Sequence, residues 1–437
     1  MLDRVYLLLA VLVVGVAPAS AQAQGWLEDR ARTEGPGIRV GDLELHPGVG
    51  VEIGYDSNVF YEDEIPQGSA ILRGTAHLLV STLSLERLEE GAAQGGQESV
   101  RFRGGLSISG YHFFIDRAKD NVGGDLNLDL TINPHGTFTF RIYENFGRAI
   151  RPFTDSGGMS DDITYGRNQN VAGAEVSIRS RADILKLRAG YELGYEFFDD
   201  DVFDYVDNLS HRIGLDASFR FFPNTAIVNA NLLEFQTYPN SGDEPASLVT
   251  NSTRYTSSVG INGAFTNTLS ATILGGYSVG FYSNGDDYES IVARVEGRWQ
   301  PQQDARLALG YERRFRPSFV GNFFREDKGY FTAQTLLGGA FLLGFETSAA
   351  LYNSGVVLAP DAMTPLGTQA EREGVRVEAK LFAEYRLTNW LGVNTSLRYI
   401  ADFTDYQYGD PGGAGALPDP AAAYQKFEAW LGVRAFY

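Results

Sequence analysis

Apolar and polar residues alternate along much of this chain with a period of two. Residues 51–60, VEIGYDSNVF, show the pattern: one parity holds Val51, Ile53, Tyr55 and Val59, and the other holds Glu52, Gly54, Asp56 and Asn58. A period of two is typical of a β-strand with one apolar and one polar face. In a soluble sandwich the apolar face packs into a core, whereas in a transmembrane barrel it meets lipid and the polar face lines the lumen. The segment alone fits both architectures.

The alternation recurs in longer runs, and their polar faces repeatedly carry both signs of charge. Clear examples are residues 100–114, 186–198, 210–222 and 375–387. These runs are much longer than the roughly five or six residues usual for strands of soluble proteins. A mixed-charge face opposite an apolar face is common in barrels, where it lines the lumen. The runs therefore favour a transmembrane barrel over a sandwich.

The connections between the runs alternate between short turns and long polar segments. Short turns rich in Pro, Asn and Gly occur at 133–136, 179–183, 222–225, 266–268, 300–304, 338–339 and 387–389. Longer segments occur at 155–164, 199–207, 239–251, 317–328, 354–373 and 404–422. Short turns at one end and long loops at the other are typical of bacterial outer-membrane barrels.

Counting the runs predicts an all-β, up-and-down antiparallel barrel of about 18 strands, with 16 as the alternative. The first strand begins near Pro47, the last ends at Tyr437, and both termini lie at the end with the short turns. The least regular runs are residues 71–85, 226–235 and 329–337.

The first residues have the form of a secretory signal peptide. Arg4 precedes an apolar run at residues 5–16, and small residues follow, with cleavage points after Ala21 or Ala23. The run is too short to span a bilayer as a helix, which takes roughly 20 residues. We therefore predict a signal peptide at residues 1–21, a short periplasmic segment at 22–46 and the barrel at 47–437.

Composition agrees with export of a barrel. The chain has 437 residues with 50 Gly, 23 Tyr, 28 Phe and no Cys, so no disulfide can stabilise it. A closed hydrogen-bonded barrel supplies stability by another route. The formal net charge of −19 argues against nucleic acid as a partner.

Aromatic residues gather where the strands enter and leave the expected membrane, as in interfacial girdles: Phe113, Phe114, Phe197, Phe198, Phe221, Phe222, Trp299, Trp390 and Phe403. The chain ends in KFEAWLGVRAFY. In this ending, Gly432, Phe436 and Tyr437 are similar to the assembly signal of outer-membrane proteins, which predicts the barrel assembly machinery as a partner.

The stretch GYDSNVFYEDE, near the start of the first strand, resembles the N-terminal motif of an outer-membrane β-barrel porin family associated with exopolysaccharide export in Gram-negative bacteria. The resemblance covers about a dozen residues. It implies the outer exit for a secreted polysaccharide, together with a periplasmic export partner. By parity, Asp56 and Asn58 face the lumen near the outer rim, and Glu62 opens the first outer loop.

No arrangement of residues typical of an enzyme or a metal site is found. The five histidines, His46, His77, His112, His135 and His211, have no metal-ligand spacing, and no GxSxG occurs. The nearest candidate is Ser210 with His211 and Asp207, but neighbours on a strand point to opposite faces. By parity His211 faces lipid. The sequence thus predicts no catalysis, no metal and no cofactor.

Basic residues collect on the lumen face near the short-turn end of the strands: Arg101, Arg103, Arg179, Lys186, Arg188, Arg220, Arg298, Arg306, Arg386 and Arg434. One interpretation is a wall of ion pairs, with Glu175, Glu296, Glu384 and Glu428 as partners. The other is a basic inner mouth that concentrates anionic solutes. Acidic clusters at 160–162, 199–201 and 285–287 are either solvated loop tips or sites where divalent cations bridge to lipopolysaccharide.

Taken together, the sequence predicts a passive conduit in the outer membrane of a Gram-negative bacterium, surrounded by lipid and lipopolysaccharide, and the family resemblance implies that it serves exopolysaccharide export. The alternatives are a diffusion porin for small solutes, a structural or adhesive surface barrel, and an outer-membrane enzyme.

Overall fold

The computed structural model describes residues 35–63, 65–82, 99–149, 166–180, 182–199, 204, 206–241, 249–284, 287–302, 304–317, 322–355, 373–405 and 423–437. The expected signal peptide lies outside these residues, as do the acidic cluster at 160–162 and most of those at 199–201 and 285–287. Among the described residues, no helix is long and apolar enough to cross a membrane.

The described residues form 19 strands of one antiparallel sheet. The strands are β1 (Ile38–Val40), β2 (Leu43–Asp56), β3 (Ser69–Thr82), β4 (Val100–Phe113), β5 (Asn121–Ile132), β6 (Phe138–Ala149), β7 (Arg167–Arg179), β8 (Leu185–Phe198), β9 (Asn208–Phe222), β10 (Thr225–Thr237), β11 (Ser252–Ala264), β12 (Leu269–Tyr282), β13 (Tyr288–Gln302), β14 (Ala305–Pro317), β15 (Phe323–Leu337), β16 (Phe341–Ser354), β17 (Glu373–Arg386), β18 (Leu391–Phe403) and β19 (Tyr424–Phe436).

The sheet closes on itself because β2 pairs with β3 on one side and with β19 on the other. Every strand from β2 to β19 also pairs with its neighbours in sequence, which gives a closed up-and-down barrel of 18 strands and confirms the predicted fold. The short β1 pairs only with the start of β2. The barrel begins at Leu43, four residues before the boundary expected at Pro47.

Most connections follow the expected alternation, which defines a turn end and a loop end of the barrel. Gly338 and Gly339 have φ of +58° and +69°, values that favour glycine, and they make the tight turn between β15 and β16. Two connections depart from the expected layout. Residues 83–99 make a long connection at the turn end, and the expected long loop at 317–328 is wrong because β15 begins at Phe323.

The outer surface of the barrel is apolar and the lumen wall is polar. On β2, Val49, Val51, Ile53 and Tyr55 point outward and are largely exposed, whereas the alternate positions are buried. The same parity holds in the runs that the sequence singled out on β4, β8, β9 and β17. An apolar outer face in a closed sheet leaves no unpaired strand edge in lipid, so the barrel can span a membrane.

At the loop end, the structure corrects the predicted orientation of three side chains. Strand β2 ends at Asp56, so Val59 does not continue the outward face but is buried with Phe60 and Ala118 in a small loop cluster. Phe113 is on the inward parity of β4 and packs against that cluster. Phe198 is likewise inward and buried on β8. Phe113 therefore packs on a loop, and neither Phe113 nor Phe198 belongs to an outward-facing interfacial girdle.

Strand β19 closes the barrel through its last residues. Phe436 faces β2 at Gly48 and is buried, and the backbone N–H of Tyr437 donates to the carbonyl of Pro47 at 2.9 Å. We expect deletion of Phe436 and Tyr437 to lower the amount of membrane-inserted protein, because an unclosed edge strand leaves backbone groups unpaired in lipid. Deletion of Gly412 and Gly413, in the β18–β19 connection, is the control. Equal insertion of both deletion variants, measured by heat-modifiability on gels, would contradict the assembly role.

Candidate functional site in the barrel lumen

The lumen wall has two regions that differ in exposure. The closing seam, which we define as the lumen faces of β2, β3 and β17–β19, holds ion pairs that are almost completely buried. The lumen faces of β13–β15 hold ion pairs whose basic members are much more exposed. Water and solutes can therefore reach the charges of the second region and hardly those of the first.

The turn end of the closing seam is built around Glu384. Its carboxylate accepts a hydrogen bond from Arg434 and lies 3.3 Å from Nε of Arg386, and the side chains of Glu384 and Arg434 are 0% and 1% exposed. The ring of Phe436 lies 4.7 Å from the guanidinium carbon of each of these arginines. Arg386 and Arg434 therefore belong to a buried structural cluster, which corrects their assignment to an accessible basic mouth.

Further along the closing seam, Arg73 pairs with Glu52 at 2.5 Å and lies over the ring of Trp430. Near the loop end, Lys426 Nζ lies 2.6 Å from Asp56 and 4.0 Å from the centre of the Tyr61 ring. Each cation is thus balanced by a carboxylate and covered by an aromatic ring. This arrangement makes the seam a sealed part of the wall.

The motif GYDSNVFYEDE folds the first loop onto this seam. Asn58 is fully buried; its side chain accepts from the N–H of Glu62 at 2.9 Å and donates to the carbonyls of Glu62 and Gln425. Tyr61, with φ of +60°, packs against Ile400 and Tyr424 of the lumen wall. The motif therefore has a structural role here, because it ties the β2–β3 loop to β18 and β19. Asp56 faces the lumen, as expected.

The exposed charges of β13–β15 form a continuous set that we call the basic strip. It consists of six lumen-facing residues, Arg294, Arg298, Arg306, Arg314, Arg316 and Lys328, against three lumen-facing carboxylates, Glu296, Glu312 and Glu326. Register pairs Arg298 with Ala308 and Arg294 with Glu312, so the basic residues follow one another from the turn end to the loop end. The ten residue-to-residue steps from Arg306 to Arg316 span about 33 Å at roughly 3.3 Å per step.

Within the basic strip, the arginines are more exposed than their partners. Arg298 is 38% exposed and its partner Glu296 6%, and Arg314 is 35% exposed and its partner Glu326 7%. Glu296 also accepts a hydrogen bond from Tyr330, which holds the carboxylate against the wall. The lumen surface of these strands is therefore dominated by guanidinium groups.

The other predicted basic residues do not join into one ring. Arg188 pairs with Asp216 and lies 3.6 Å from Glu175, and Arg220 lies 3.5 Å from Asp183 in a turn. Arg179 donates to the carbonyl of Pro134. Arg101 and Lys186 are half-buried and Arg103 is exposed, all at the turn end. The seam and β7–β9 are ion-paired, as the first interpretation expects. Arginines of the strip are accessible, and a mouth that concentrates anionic solutes stays a prediction.

Sequence reasoning missed Arg294, Arg314, Arg316 and Lys328 of the strip. All four have lumen parity on their strands, and for the three arginines the parity shared with Arg298 or Arg306 was the available signal. In the stretch ERRFRP, the adjacent Arg313 and Arg314 point to opposite faces, and the register of β14 with β13 shows that Arg314 lines the lumen.

No catalytic constellation forms around the histidine that the sequence considered. His211 is on the outward face, where its Nδ1 lies 2.7 Å from the hydroxyl of Tyr191, whereas Ser210 points inward. Asp207 accepts from the N–H of Phe198 at 3.0 Å. Among the described residues, no group of three or more His, Cys, Asp or Glu side chains could hold a metal ion. The absence of an enzymatic function stays a prediction.

Comparison with known proteins gives matches in structure alone. The chain matches no protein-family model and no curated protein sequence. Similar solved structures include the siderophore receptor PirA from Acinetobacter baumannii (8% identity, 90% of this chain and 80% of that one, TM-score 0.45). OccAB4 from A. baumannii (9%, 90% and 98%, 0.43) and an anion-selective porin from Comamonas acidovorans (10%, 90% and 99%, 0.37) are also similar. At such identities, no property of those proteins transfers to this chain.

Fold and site together define the class of the protein. It is a transmembrane antiparallel β-barrel of 18 strands with an apolar outer face. Its lumen wall combines a buried, ion-paired seam with an exposed basic strip.

Proposed function

We propose that the protein is an outer-membrane channel through which anionic solutes pass passively. The observation that carries the proposal is the exposure of the arginines of the basic strip beside buried carboxylates. A guanidinium that binds a wall carboxylate along one edge keeps other N–H donors for a passing anion. Charges that line a pore with low-dielectric walls bias which ions enter.

The test is a reversal potential in planar bilayers under a salt gradient. We expect the wild-type channel to favour anions and the variant Arg298→Gln/Arg306→Gln/Arg314→Gln to lose most of that preference. The effect should weaken with salt, because the Debye length falls from about 10 Å at 0.1 M to about 3 Å at 1 M. Arg148→Gln is the control, because Arg148 lies on the outward face of β6 and pairs with Asp199.

An unchanged reversal potential in a conducting triple variant would contradict a selective role for the strip. No conductance from correctly folded wild-type protein would instead favour a structural or adhesive barrel.

A second candidate function is the outer exit for an acidic exopolysaccharide. The length of the strip favours it, because a polyanion would meet basic groups along its whole path and not at one constriction. The resemblance of GYDSNVFYEDE to a family associated with polysaccharide export agrees. In this function the chain resides in the outer membrane of a Gram-negative bacterium and receives polymer from a periplasmic export partner.

Polymer block distinguishes the exporter from a small-solute porin. An oligosaccharide of uronic acids, added at the turn end, should interrupt the current through the wild-type channel. A neutral dextran of equal length should do so far less, and the triple variant should lose the difference. In cells, the triple variant should also reduce surface polymer without reducing the abundance of the barrel. If the acidic and neutral oligosaccharides block alike, the export function is wrong.

A further inference from the structure

An ion pair interrupts the apolar outer face near the loop end. Arg313 Nε lies 2.6 Å and Nη2 lies 3.0 Å from the two carboxylate oxygens of Asp327, and the hydroxyl of Tyr311 donates to the same carboxylate. All three residues have the outward parity of their strands. Arg325, the next outward residue of β15 toward the loop end, adds a second cation beside Asp327. Glu373 on β17 faces outward at the same level, but Asn353 on β16 lies between it and Arg325 and donates a hydrogen bond to Glu373. Asp327 is therefore the carboxylate that Arg313 and Arg325 share.

The depth of this pair places it at the level of lipid headgroups. Tyr311 is the next outward residue of β14 toward the turn end. It lies at the level of an aromatic girdle, which marks the membrane interface. Phe315, one outward position beyond Arg313, stacks on Tyr288 with ring centres 4.0 Å apart, at the start of β13. Arg313 thus lies between the girdle and the rim. There an arginine costs much less than at the membrane midplane.

An apolar groove of about 460 Å³ begins directly below the ion pair and crosses β14–β17. Gly329 and Ala349 form its floor, and Tyr311 and Val375 form its sides. A Cβ added to Gly329 would meet no atom within 4 Å, so the groove is open toward the membrane. A groove of this kind fits a hydrocarbon chain, and the cations above it fit an anionic headgroup.

A second groove on the outer face differs from the β14–β17 groove in the charged residues that line it. It measures about 330 Å³ and is lined by Gly74, Gly110 and the pair His112–Asp120. The hydrogen bond from His112 lowers the pKa of Asp120, which lies in a loop. This groove has a histidine and no arginine, so it lacks a permanent cation.

We propose that the β14–β17 groove binds the phosphorylated glycolipid of the outer leaflet. An acyl chain lies over Gly329 and Ala349, and a phosphate binds Arg313 and Arg325. Arginine suits this role because its fork of N–H donors matches phosphate geometry. The inference rests on the proposed outer-membrane location, but not on which solute the channel conducts.

Native mass spectrometry of the purified full-length barrel tests the proposal. Lipid A with two phosphates is the probe, and the dephosphorylated lipid is its comparison. We expect wild-type protein to retain the phosphorylated probe. In Arg313→Gln/Arg325→Gln, retention should fall at least about tenfold, the effect of losing one charged hydrogen bond. Gly329→Leu should also lower retention, because it fills the groove and leaves both arginines in place.

Arg148→Gln is the matched control, because Arg148 is also an outward arginine near the loop end and pairs with Asp199. It should retain the probe as the wild type does. Two results would overturn the proposal: equal retention by the wild type and Gly329→Leu, or equal retention of the phosphorylated and dephosphorylated lipids. Both comparisons use protein with the arginine pair intact. A folding defect in the double variant would leave them unaffected, and loss of conductance would not change their outcome.

Discussion

Replacement of Arg434 by alanine is expected to destabilise the barrel by about 3–5 kcal/mol, the cost of breaking a buried ion pair by removing one partner. Glu384 is completely buried, and the substitution would remove Arg434 from its carboxylate. Arg386, at 3.3 Å, would remain beside it. The ring of Phe436 would also lose one of its two guanidinium neighbours. Urea titration in lipid vesicles measures the change in the free energy of unfolding.

The control for this prediction is Arg220→Ala. Arg220 lies 3.5 Å from Asp183, but both side chains are well exposed, and exposed pairs contribute about 0–1 kcal/mol. Both variants remove an arginine from the turn end of the lumen. If they destabilised the barrel equally, burial would not be what makes the Glu384 cluster important, and the distinction between the seam and the rest of the wall would be lost.

Introduction of arginine at Leu381 is expected to cost about 2–4 kcal/mol, the penalty for a cation on the lipid face at the membrane midplane. Leu381 lies at the middle of β17, points outward and faces Phe345 and Leu397 on the neighbouring strands. The adjacent Lys380→Arg should have little effect, because that side chain lies on the lumen parity. The free energy of folding into lipid vesicles gives both values.

A second pair on β9 repeats this comparison. Leu215 is exposed on the outward face, whereas a Cβ at the neighbouring Gly214 points into the lumen and meets no atom within 4 Å. Arginine should therefore be costly at Leu215 and tolerated at Gly214. A similar response at the two positions would mean that the register of β9 against β8 and β10 is wrong.

The fold was predictable from the sequence because a strand in a barrel wall repeats its two environments at every second residue. Strand β10 shows where this signal fails. Asn229 and Asn231 point outward there, and the lumen side carries Ala226, Val228, Ala230 and Leu232. The amide of Asn231 donates to the carbonyl of Leu215 and accepts from Ser257, so its polar atoms are satisfied locally. Hydrogen bonds between strands override the alternation, and a single sequence does not show them.

The candidate site was only partly predictable, because exposure depends on partners from neighbouring strands. Parity placed Arg298 and Arg434 on the same lumen face, as the structure does. Their surroundings differ: Glu384 and Phe436 cover Arg434, whereas Arg298 reaches the lumen beside a buried Glu296. Loop residues were the least predictable. Val59 continues the alternation of β2 in sequence, but the turn at Asn58 redirects it into a loop cluster.

The cluster around Glu384 also distinguishes a complete barrel from an incomplete one. Glu384, on β17, precedes Arg434 by 50 residues in the chain. A chain that ends before β19 therefore carries the Glu384 carboxylate in its lumen without Arg434, its main partner. Phe436, two residues further on, fits between the two arginines only when β19 has paired with both β18 and β2. A truncated or unzipped chain therefore differs from a finished one in electrostatics as well as in hydrogen bonding. Quality control during assembly could act on that difference.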